Sequence, residues 1–312
     1  MNTAKLLFPI RKNGKWGFMN QSGRIAVEPR FDSTTGGNEG ISSFRLNGKY
    51  GFLASDGKIR CEPVFDAVDS FNEGLCGAVR GNQKGFLDRT FKFSFLHSYK
   101  KCFEFHEGLV IGYNELLDYD YLDKAGRVVL RGNISLSDSS EGLICFKEKI
   151  DSGYGFRNRN GEWVIAPKFE LAKDFSEGLA GAVIKQGRKL LMGFIDKTGE
   201  FVIPPRYPPE MCRFREGCAV VWKVPKGRAK AGFIDRKGEQ VIPYIYDLAE
   251  DFSEGLAHII IKEKSGFINL QGDMVIKPSF DSASQFKNGL AWVQVGKQCG
   301  YIDREGELLH LG

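Results

Sequence analysis

The residues of this chain that could do chemistry are two groups of cations and one tryptophan. The first group is Lys185, Arg188 and Lys189. The second group lies one repeat later and comprises Trp222, Lys223, Lys226, Arg228 and Lys230. Arginine binds phosphate and carboxylate groups in a bidentate manner, and clustered cations raise the local concentration of an anionic ligand. The two groups therefore predict a docking site for an acidic partner or for nucleic-acid phosphates, with Trp222 as a candidate hot spot.

The alternative is that both groups lie on solvated loops whose charge only keeps the hairpin tips soluble. A nucleic-acid site should also carry several exposed aromatic side chains for base stacking. These loops offer only Trp222, which is equally compatible with a strand position facing the core. We therefore favour a protein partner over nucleic acid.

Acidic residues recur at a fixed position before glycine. They are Glu39, Glu73, Glu107, Glu141, Glu177, Glu216 and Glu254, with Asn288 at the eighth position. A set of carboxylates could bind cations, but Asn288 fits better if each side chain caps backbone N–H groups at its own turn. We expect this capping role, and we expect the same of Asp196, Asp235, Asp303 and Asn269.

A second irregular zone is acidic and aromatic. Its acidic residues are Glu115, Asp118, Asp120 and Asp123, and they alternate with Leu116, Leu117, Tyr119 and Tyr121. Such a patch could bind a basic partner. We prefer the simpler interpretation, in which one repeat has decayed and its surface has drifted.

Catalytic and metal-binding motifs are not apparent. The four histidines are scattered, and no spacing suggests paired metal ligands, a nucleophile elbow or a phosphate-binding loop. The sequence therefore predicts no enzyme activity, no cofactor and no metal, and it does not indicate a small-molecule ligand.

Cysteine usage and hydropathy indicate the compartment. The seven cysteines form no C-x-x-C pair, and several replace apolar repeat positions, which predicts reduced thiols that lie mostly in the core. No apolar run resembles a signal peptide or approaches the roughly 20 residues of a membrane span. We expect a cytoplasmic protein that does not enter the membrane.

A repeat positions all of these residues. Glycine followed by an aromatic residue returns at Gly17, Gly51, Gly85, Gly155, Gly193, Gly232, Gly266 and Gly300, with Asp120-Tyr121 in the one gap. This spacing of about 34 residues indicates nine copies of one unit. The units start near residues 5, 39, 73, 107, 141, 177, 216, 254 and 288, and we expect them to form a single domain over 1–312.

Each unit reads as three short antiparallel strands. Segments rich in β-branched and aromatic residues alternate with glycine-bearing turns, and the first turn is often Asn-Gly, a strong hairpin signal. No segment keeps a helical apolar period, so the chain is predicted to be all-β. Adjacent apolar residues on a strand face opposite sides. Both faces of each small sheet must therefore be covered by neighbouring units.

Two architectures satisfy this requirement, a propeller-like ring and an open β-solenoid. An open stack needs polar caps, whereas both ends of this chain are apolar. We therefore favour the propeller-like ring slightly, although nine blades exceed the usual four to eight.

Length variation between units falls in one hairpin loop. It peaks in units six and seven, the two units that carry the cations. Insertions in repeat proteins collect on the loop face, which is often the binding face. Equivalent loops of adjacent units should share one rim, which brings the cations together.

At these residues the chain resembles the WG-repeat (KWG-repeat) family. Lys15-Trp16-Gly17-Phe18 matches the signature tetrapeptide, and the wider pattern covers nearly the whole chain. The fourth unit departs from it, because it lacks the glycine at Asp120-Tyr121 and the proline after Val128-Val129-Leu130. Only the first unit keeps tryptophan before glycine. The resemblance implies a bacterial interaction module without a shared activity, and it carries over no catalytic residue.

The sequence thus predicts a non-enzymatic scaffold or adaptor that presents a loop rim to an acidic protein partner. Direct DNA binding by the same rim is the main alternative. Carbohydrate or cell-wall binding is a further alternative, which the absence of a signal peptide disfavours.

Overall fold

A computed structural model describes residues 6–113, 119–134, 137–210, 212–224 and 227–311. Within these residues the strands form nine small antiparallel sheets, numbered here as blades 1 to 9 along the chain. Blade 1 has three strands and the other blades have four. The chain divides after Gly132 into two compact units, which hold blades 1–4 and 5–9.

The first unit contains fifteen strands. Blade 1 is β1 (Phe8–Lys12), β2 (Lys15–Met19) and β3 (Ile25–Phe31). Blade 2 is β4 (Gly37–Asn38), β5 (Ile41–Leu46), β6 (Lys49–Ala54) and β7 (Ile59–Phe65). Blade 3 is β8 (Ala67–Val68), β9 (Cys76–Arg80), β10 (Gln83–Leu87) and β11 (Phe93–Leu96). Blade 4 is β12 (Lys101–His106), β13 (Leu109–Tyr113), β14 (Tyr119–Asp123) and β15 (Val128–Asn133).

The second unit contains blades 5 to 9. Blade 5 is β16 (Ser139–Ser140), β17 (Leu143–Phe146), β18 (Tyr154–Asn158) and β19 (Trp163–Phe169). Blade 6 is β20 (Leu171–Ala172), β21 (Ala180–Gln186), β22 (Lys189–Ile195) and β23 (Phe201–Tyr207). Blade 7 is β24 (Phe214–Arg215), β25 (Cys218–Lys223), β26 (Lys230–Asp235) and β27 (Gln240–Tyr246). Blade 8 is β28 (Leu248–Ala249), β29 (Leu256–Ile261), β30 (Lys264–Asn269) and β31 (Met274–Phe280). Blade 9 is β32 (Ser282–Ala283), β33 (Ala291–Val295), β34 (Gln298–Ile302) and β35 (Leu308–Leu311).

The Gly-aromatic dipeptide is explained by a close approach of backbone. The glycine lies on the third strand of a blade, where the bulged fourth strand crosses it. A Cβ on Gly193 would lie only 2.4 Å from the carbonyl oxygen of Ile203, so no larger residue fits. The aromatic residue that follows, Phe194, is completely buried. The dipeptide thus combines a required glycine with a core side chain.

A proline marks the exposed edge of most blades. The last strand of five blades carries it at the same register position, as Pro29, Pro63, Pro167, Pro205 and Pro278. Proline has no N–H group and is tolerated at the edge of a sheet, where it discourages pairing with another chain. In blade 7 the equivalent residue is Tyr244, because Phe233 pairs with Ile242 as Phe194 pairs with Ile203 in blade 6.

The repeated glutamates join successive blades, and the prediction that they cap their own turns is wrong. Each Glu-Gly pair is the tight turn before the second strand of a blade, and both residues have positive φ, 54° at Glu177 and 79° at Gly178. The Glu177 carboxylate accepts hydrogen bonds from the backbone N–H of Glu216 at 2.6 Å and of Gly217 at 2.9 Å in the next blade. The same bond runs from Gly74 to Glu39, Gly108 to Glu73, Gly178 to Glu141, Gly255 to Glu216 and Gly289 to Glu254. We call these bonds the Glu latches.

The aspartates after the third strand do cap their own turns, as predicted. Asp235 accepts bonds from the backbone N–H of Lys237 and Glu239, and Asn269 does the same for Gln271 and Asp273. An amide oxygen can thus replace a carboxylate at this position.

The thiols agree only in part with the prediction that they lie mostly in the core, because three of the seven are buried and the other four are partly exposed. All seven cysteines are free, and Cys76, Cys145 and Cys212 are buried. Burial raises the pKa of Cys76 and of Cys212 to about 12. These thiols therefore remain protonated at neutral pH and serve as packing residues.

The fold is a nine-bladed β-propeller, so the prediction of an all-β repeat protein with propeller architecture is confirmed. The structure adds one feature that the sequence did not indicate. Eight blades begin with an additional first strand of two to six residues, where the sequence predicted three strands per unit. No helix in the described residues is long and apolar enough to cross a membrane.

Candidate functional site

The extra residues of blade 6 lengthen a hairpin instead of forming a loose loop. β21 and β22 pair over seven residues, up to Gln186 opposite Lys189. Lys185, Arg188 and Lys189 are exposed at this tip. The cations therefore lie at the tip of a paired β-hairpin, and the docking role and the solubilising role both stay predictions.

The extra residues of blade 7 form a wider connection between β25 and β26. Arg228 is exposed there, and Lys223 is exposed at the end of β25. Lys226, which the sequence also assigned to the site, lies outside the described residues.

Lys230 is held by a carboxylate. Its ammonium group forms an ion pair with Asp247 at 2.5 Å, and Asp247 also accepts a bond from the backbone N–H of Lys262 in blade 8. The lysine of the KWG signature makes the same pair in other blades, namely Lys15–Asp32, Lys49–Asp66 and Lys264–Asp281. Lys230 is thus the copy of this lysine in blade 7, and its contact with a partner stays a prediction.

A cleft of about 450 Å³ lies between the fourth strand of blade 6 and the sheet of blade 7. Among the residues that line it are Arg206, Tyr207, Trp222, Lys223, Gln240 and Tyr244. We call this site the blade 6–7 cleft. Its volume lies within the range of about 300–1,000 Å³ that is typical of ligand clefts.

Trp222 contributes both to the cleft and to the core. It lies on β25, opposite Ala231, and it is half-buried against the hydrophobic core of blades 6 to 8. Ala231 occupies the position of the signature tryptophan, so in blade 7 the indole has moved to the neighbouring strand. The structure therefore confirms the strand position of Trp222 at the core and also places it in the wall of the cleft, whereas its role as a binding hot spot stays a prediction.

The cleft carries positive charge and aromatic surface. None of the described residues that line it is acidic, and the cations Arg206 and Lys223 are both exposed. The Lys223 ammonium lies 4.3 Å from the ring centroid of Tyr244, which is within the range of a cation–π contact. The Arg206 guanidinium donates to the carbonyl oxygen of Gly238 and, at 3.2 Å, to the Tyr207 hydroxyl. Both cations are therefore positioned by contacts that leave their charge unneutralised.

The aromatic hydroxyl in the cleft stays neutral at physiological pH. Burial, followed by the nearby Tyr207, raises the pKa of Tyr244 to about 12, although Arg206 acts in the opposite direction. Tyr244 can therefore donate a hydrogen bond from its hydroxyl or present its ring to a ligand.

Sequence reasoning found Trp222 and Lys223 but missed Arg206, Tyr207, Gln240 and Tyr244. A signal was present for one of them, because Tyr244 replaces the proline that the repeat has at this position in five other blades. Arg206 gave no such signal, since arginine, lysine, valine, isoleucine and serine all occur at its position.

The two described acids of the zone in blade 4, Asp120 and Asp123, are both engaged within the protein. Asp120 is only 3% exposed and accepts hydrogen bonds from the Tyr99 hydroxyl at 2.9 Å, from Arg131 at 3.3 Å and from the backbone N–H of Gly132 at 3.4 Å. Asp123 caps its own turn by accepting from the N–H of Ala125. Glu115, Leu116, Leu117 and Asp118 lie outside the described residues. The described acids of this zone are thus structural groups.

The described residues contain no group of three or more His, Cys, Asp or Glu side chains that could hold a metal ion. Among the histidines with described side chains, His258 is buried at 4% exposure, and its Nδ1 lies 3.4 Å from the Glu250 carboxylate. The prediction that the protein is not an enzyme is not tested by this arrangement and stays a prediction.

Comparison with solved structures defines the class of protein. The fold is similar to that of the "eukaryotic initiation factor" crystal structure, with a TM-score of 0.66 and 10% identity, over 99% of this chain and 96% of that one. It is also similar to AztD of Citrobacter koseri, with a TM-score of 0.50 and 10% identity, over 98% and 94% of the two chains. At this identity the likeness shows the propeller fold and nothing of the activity. No curated protein matches the chain.

The sequence repeats define the family within that class. The model of the WG containing repeat matches residues 16–50, 50–83, 154–187, 192–221, 232–264 and 266–299, which together make up more than half of the chain. The chain therefore belongs to the family of proteins with WG containing repeats. The matched ranges omit most of blade 4, in agreement with its lost signature.

Proposed function

We propose that this protein is a non-enzymatic scaffold that binds an acidic protein partner through the hairpins of blades 6 and 7. Propeller folds commonly serve as platforms for protein interactions. The observation that carries the proposal is the concentration of unneutralised cations at one place. Lys185, Arg188 and Lys189 lie at the blade 6 tip, and the cleft contains Arg206 and Lys223.

The two cationic features lie at the same end of blade 6. Met192 on β22 pairs with Tyr207 of the cleft, and β22 begins three residues earlier, at Lys189 of the tip. Three residues of a strand span about 10 Å. A single acidic segment of a partner can therefore contact both the tip and the cleft.

The complementary arrangement also supports specificity. The cations of blades 6 and 7 attract an acidic partner and repel a cationic one. The aromatic residues of the cleft can supply buried contact area in the complex. We place this interaction in the cytoplasm, where the free thiols of the core stay reduced.

The test is affinity capture with the full chain as bait, at low and high salt, with and without nuclease. A variant with Lys185→Glu, Arg188→Glu and Lys189→Glu should lose a stoichiometric protein partner that wild type retains after nuclease treatment. The matched control reverses three exposed lysines elsewhere, Lys58, Lys92 and Lys297. Equal capture by both variants contradicts the proposal.

Direct nucleic-acid binding is the second candidate, because the cleft places the partly exposed Tyr244 beside Trp222 and so offers one more aromatic residue among the cations than the sequence suggested. This function predicts that affinity falls steeply with salt, since each neutralised phosphate releases counterions. Capture that is abolished by nuclease would favour it over the scaffold.

A further inference from the structure

We propose that the blade 6–7 cleft is the specificity pocket of the scaffold and takes an acidic peptide segment that carries one aromatic side chain. The aromatic side chain enters the cleft, and flanking carboxylates pair with Arg206 and Lys223. This inference rests on the proposed function, because it names the chemistry of the partner segment.

The cleft coincides with a departure from the repeat in blade 7. Blade 6 has Pro204-Pro205 in its fourth strand, and blade 7 has Pro243-Tyr244 at the same register. On the partner strand, Trp222 takes the place of Val183. Two large aromatic residues thus replace smaller ones within a single blade, and both line the cleft.

The charge of the cleft selects an anionic occupant. Its lining contains arginine and lysine and, among the described residues, no carboxylate. Arginine pairs with carboxylates in a fixed planar geometry, and Arg206 is already oriented by its bonds to Gly238 and Tyr207. Further cations at the blade 6 tip lie about 10 Å along the strand, so acidic residues outside the cleft also meet positive charge.

The aromatic residues that line the cleft favour a ligand with an aromatic side chain next to its acidic residues. Rings pack against one another in offset or edge-to-face arrangements, and such pairs add to the free energy of area burial. Val224, which also lines the cleft, is 61% exposed and extends the apolar surface at its mouth. An aromatic side chain between two acidic residues satisfies both properties of the cleft.

The experiment measures the fluorescence anisotropy of labelled five-residue peptides with the full-length protein. The probe is Glu-Glu-Phe-Glu-Glu, and the comparison peptides are Glu-Glu-Ala-Glu-Glu and Lys-Lys-Phe-Lys-Lys. The Phe probe should bind at least about tenfold more tightly than the Ala peptide, as expected when one aromatic side chain is buried. The Lys peptide should not bind.

The decisive variant is Tyr244→Pro. It restores the residue that five other blades have and copies the Pro-Pro pair of blade 6, so the protein should fold normally. It should reduce binding of the Phe probe at least about tenfold and leave the Ala peptide unchanged. Trp222→Phe should retain most of the binding, whereas Trp222→Ala should lose it. Lys297→Glu, at the equivalent hairpin of blade 9, is the control for the charge reversal at the blade 6 tip.

The outcomes separate this inference from the proposed function. If the Tyr244→Pro variant binds the Phe probe as wild type does, but the triple reversal at the blade 6 tip abolishes binding, the pocket is wrong and the cationic docking surface stands. Equal binding of the Phe and Ala peptides also overturns the pocket. If no acidic peptide binds at up to about 1 mM, both proposals fail. Binding of oligothymidylate in place of the peptides overturns the peptide assignment and favours the nucleic-acid alternative.

Discussion

Blades 4 and 7 both depart from the repeat, but they depart in opposite ways. In blade 4 the signature glycine is replaced by Asp120, whose side chain is buried and accepts three hydrogen bonds within the blade and its vicinity. In blade 7 the edge proline is replaced by Tyr244, whose side chain lines an open cleft beside Lys223. One irregularity is satisfied internally, whereas the other faces solvent and unneutralised charge.

The contrast between Asp120 and Tyr244 distinguishes a substitution that the fold compensates internally from one that contributes to a candidate binding site. A buried carboxylate must be hydrogen-bonded, since leaving it unpaired costs several kcal/mol. The partners of Asp120 therefore explain its presence completely. Tyr244 packs at the edge of the core of blades 6 to 8 and also lines the cleft. Proline occupies this position in five other blades, so the repeat itself does not require a tyrosine there. A residue that the repeat does not require is the better candidate for function.

The largest expected effect comes from exchanging the residues at the signature glycine position between blade 6, which has Gly193, and blade 4, which has Asp120. Gly193→Asp would place a Cβ 2.4 Å from the carbonyl oxygen of Ile203, so we expect a loss of more than about 4 kcal/mol in the free energy of unfolding. Asp120→Gly should cost only about 1–3 kcal/mol, because it leaves the Tyr99 hydroxyl without its acceptor. Urea denaturation of both variants measures the two losses.

The isosteric Asp120→Asn serves as the control for this exchange, since it keeps the volume and one acceptor. Its loss should be smaller than that of Asp120→Gly. Comparable losses for Gly193→Asp and Asp120→Gly would contradict the interpretation that blade 4 packs differently from the other blades at the position of the signature glycine.

The next effect tests whether the Glu latches hold blade 7 in place. Glu177→Ala removes two short bonds to the backbone N–H groups of Glu216 and Gly217. Bonds to charged groups contribute about 1.5–3 kcal/mol each when enclosed, and these are partly exposed, so we expect a loss of about 1–3 kcal/mol. Chemical denaturation compares this variant with Glu239→Ala, an exposed glutamate of blade 7 that should cost less than about 0.5 kcal/mol. Equal stability of the two variants would contradict a structural role for the latch.

The sequence predicts the strands and the repeat because both depend on local chemistry. Gly-aromatic pairs and Asn-Gly turns reflect backbone geometry within one unit, and they predicted the nine repeat units and their antiparallel strands. The Glu latches could not be predicted from the sequence, because their bonds join residues about 35 to 40 positions apart. A turn motif alone does not show which backbone group its side chain contacts. The cleft escaped for the same reason, since Arg206 and Trp222 meet only after two blades pack together.

A smaller effect separates structural from functional cations in blades 6 and 7. Lys230→Met removes the ion pair with Asp247 and should lower the free energy of unfolding by up to about 1 kcal/mol, the usual range for an exposed pair. Lys189→Met, at the tip of blade 6, should not change stability measurably. Thermal melting compares the two variants, and peptide binding should show the reverse order of effects. A larger loss of stability from Lys189→Met would remove the distinction between the two lysines.

The smallest expected effect is the pH dependence of the lysine–aspartate pairs. The side-chain bond from Lys230 and the backbone N–H of Lys262 hold the pKa of Asp247 below its ordinary value of 3.8. Because the pKa is lower in the folded state, the pair stabilises the fold above pH 3.8, and this contribution disappears as the pH falls through the lower folded value. Asp247→Asn should therefore be less stable than wild type at pH 7, and the difference should shrink as the pH falls below about 4. Melting temperatures of both proteins from pH 7 to about pH 2 measure this convergence. Asp174 provides the internal contrast, because burial raises its pKa, so a buried charge there disfavours folding at neutral pH and its protonation on acidification acts in the opposite direction. A constant difference between wild type and Asp247→Asn over the whole range would mean that Asp247 acts through its hydrogen-bond geometry and not through its charge.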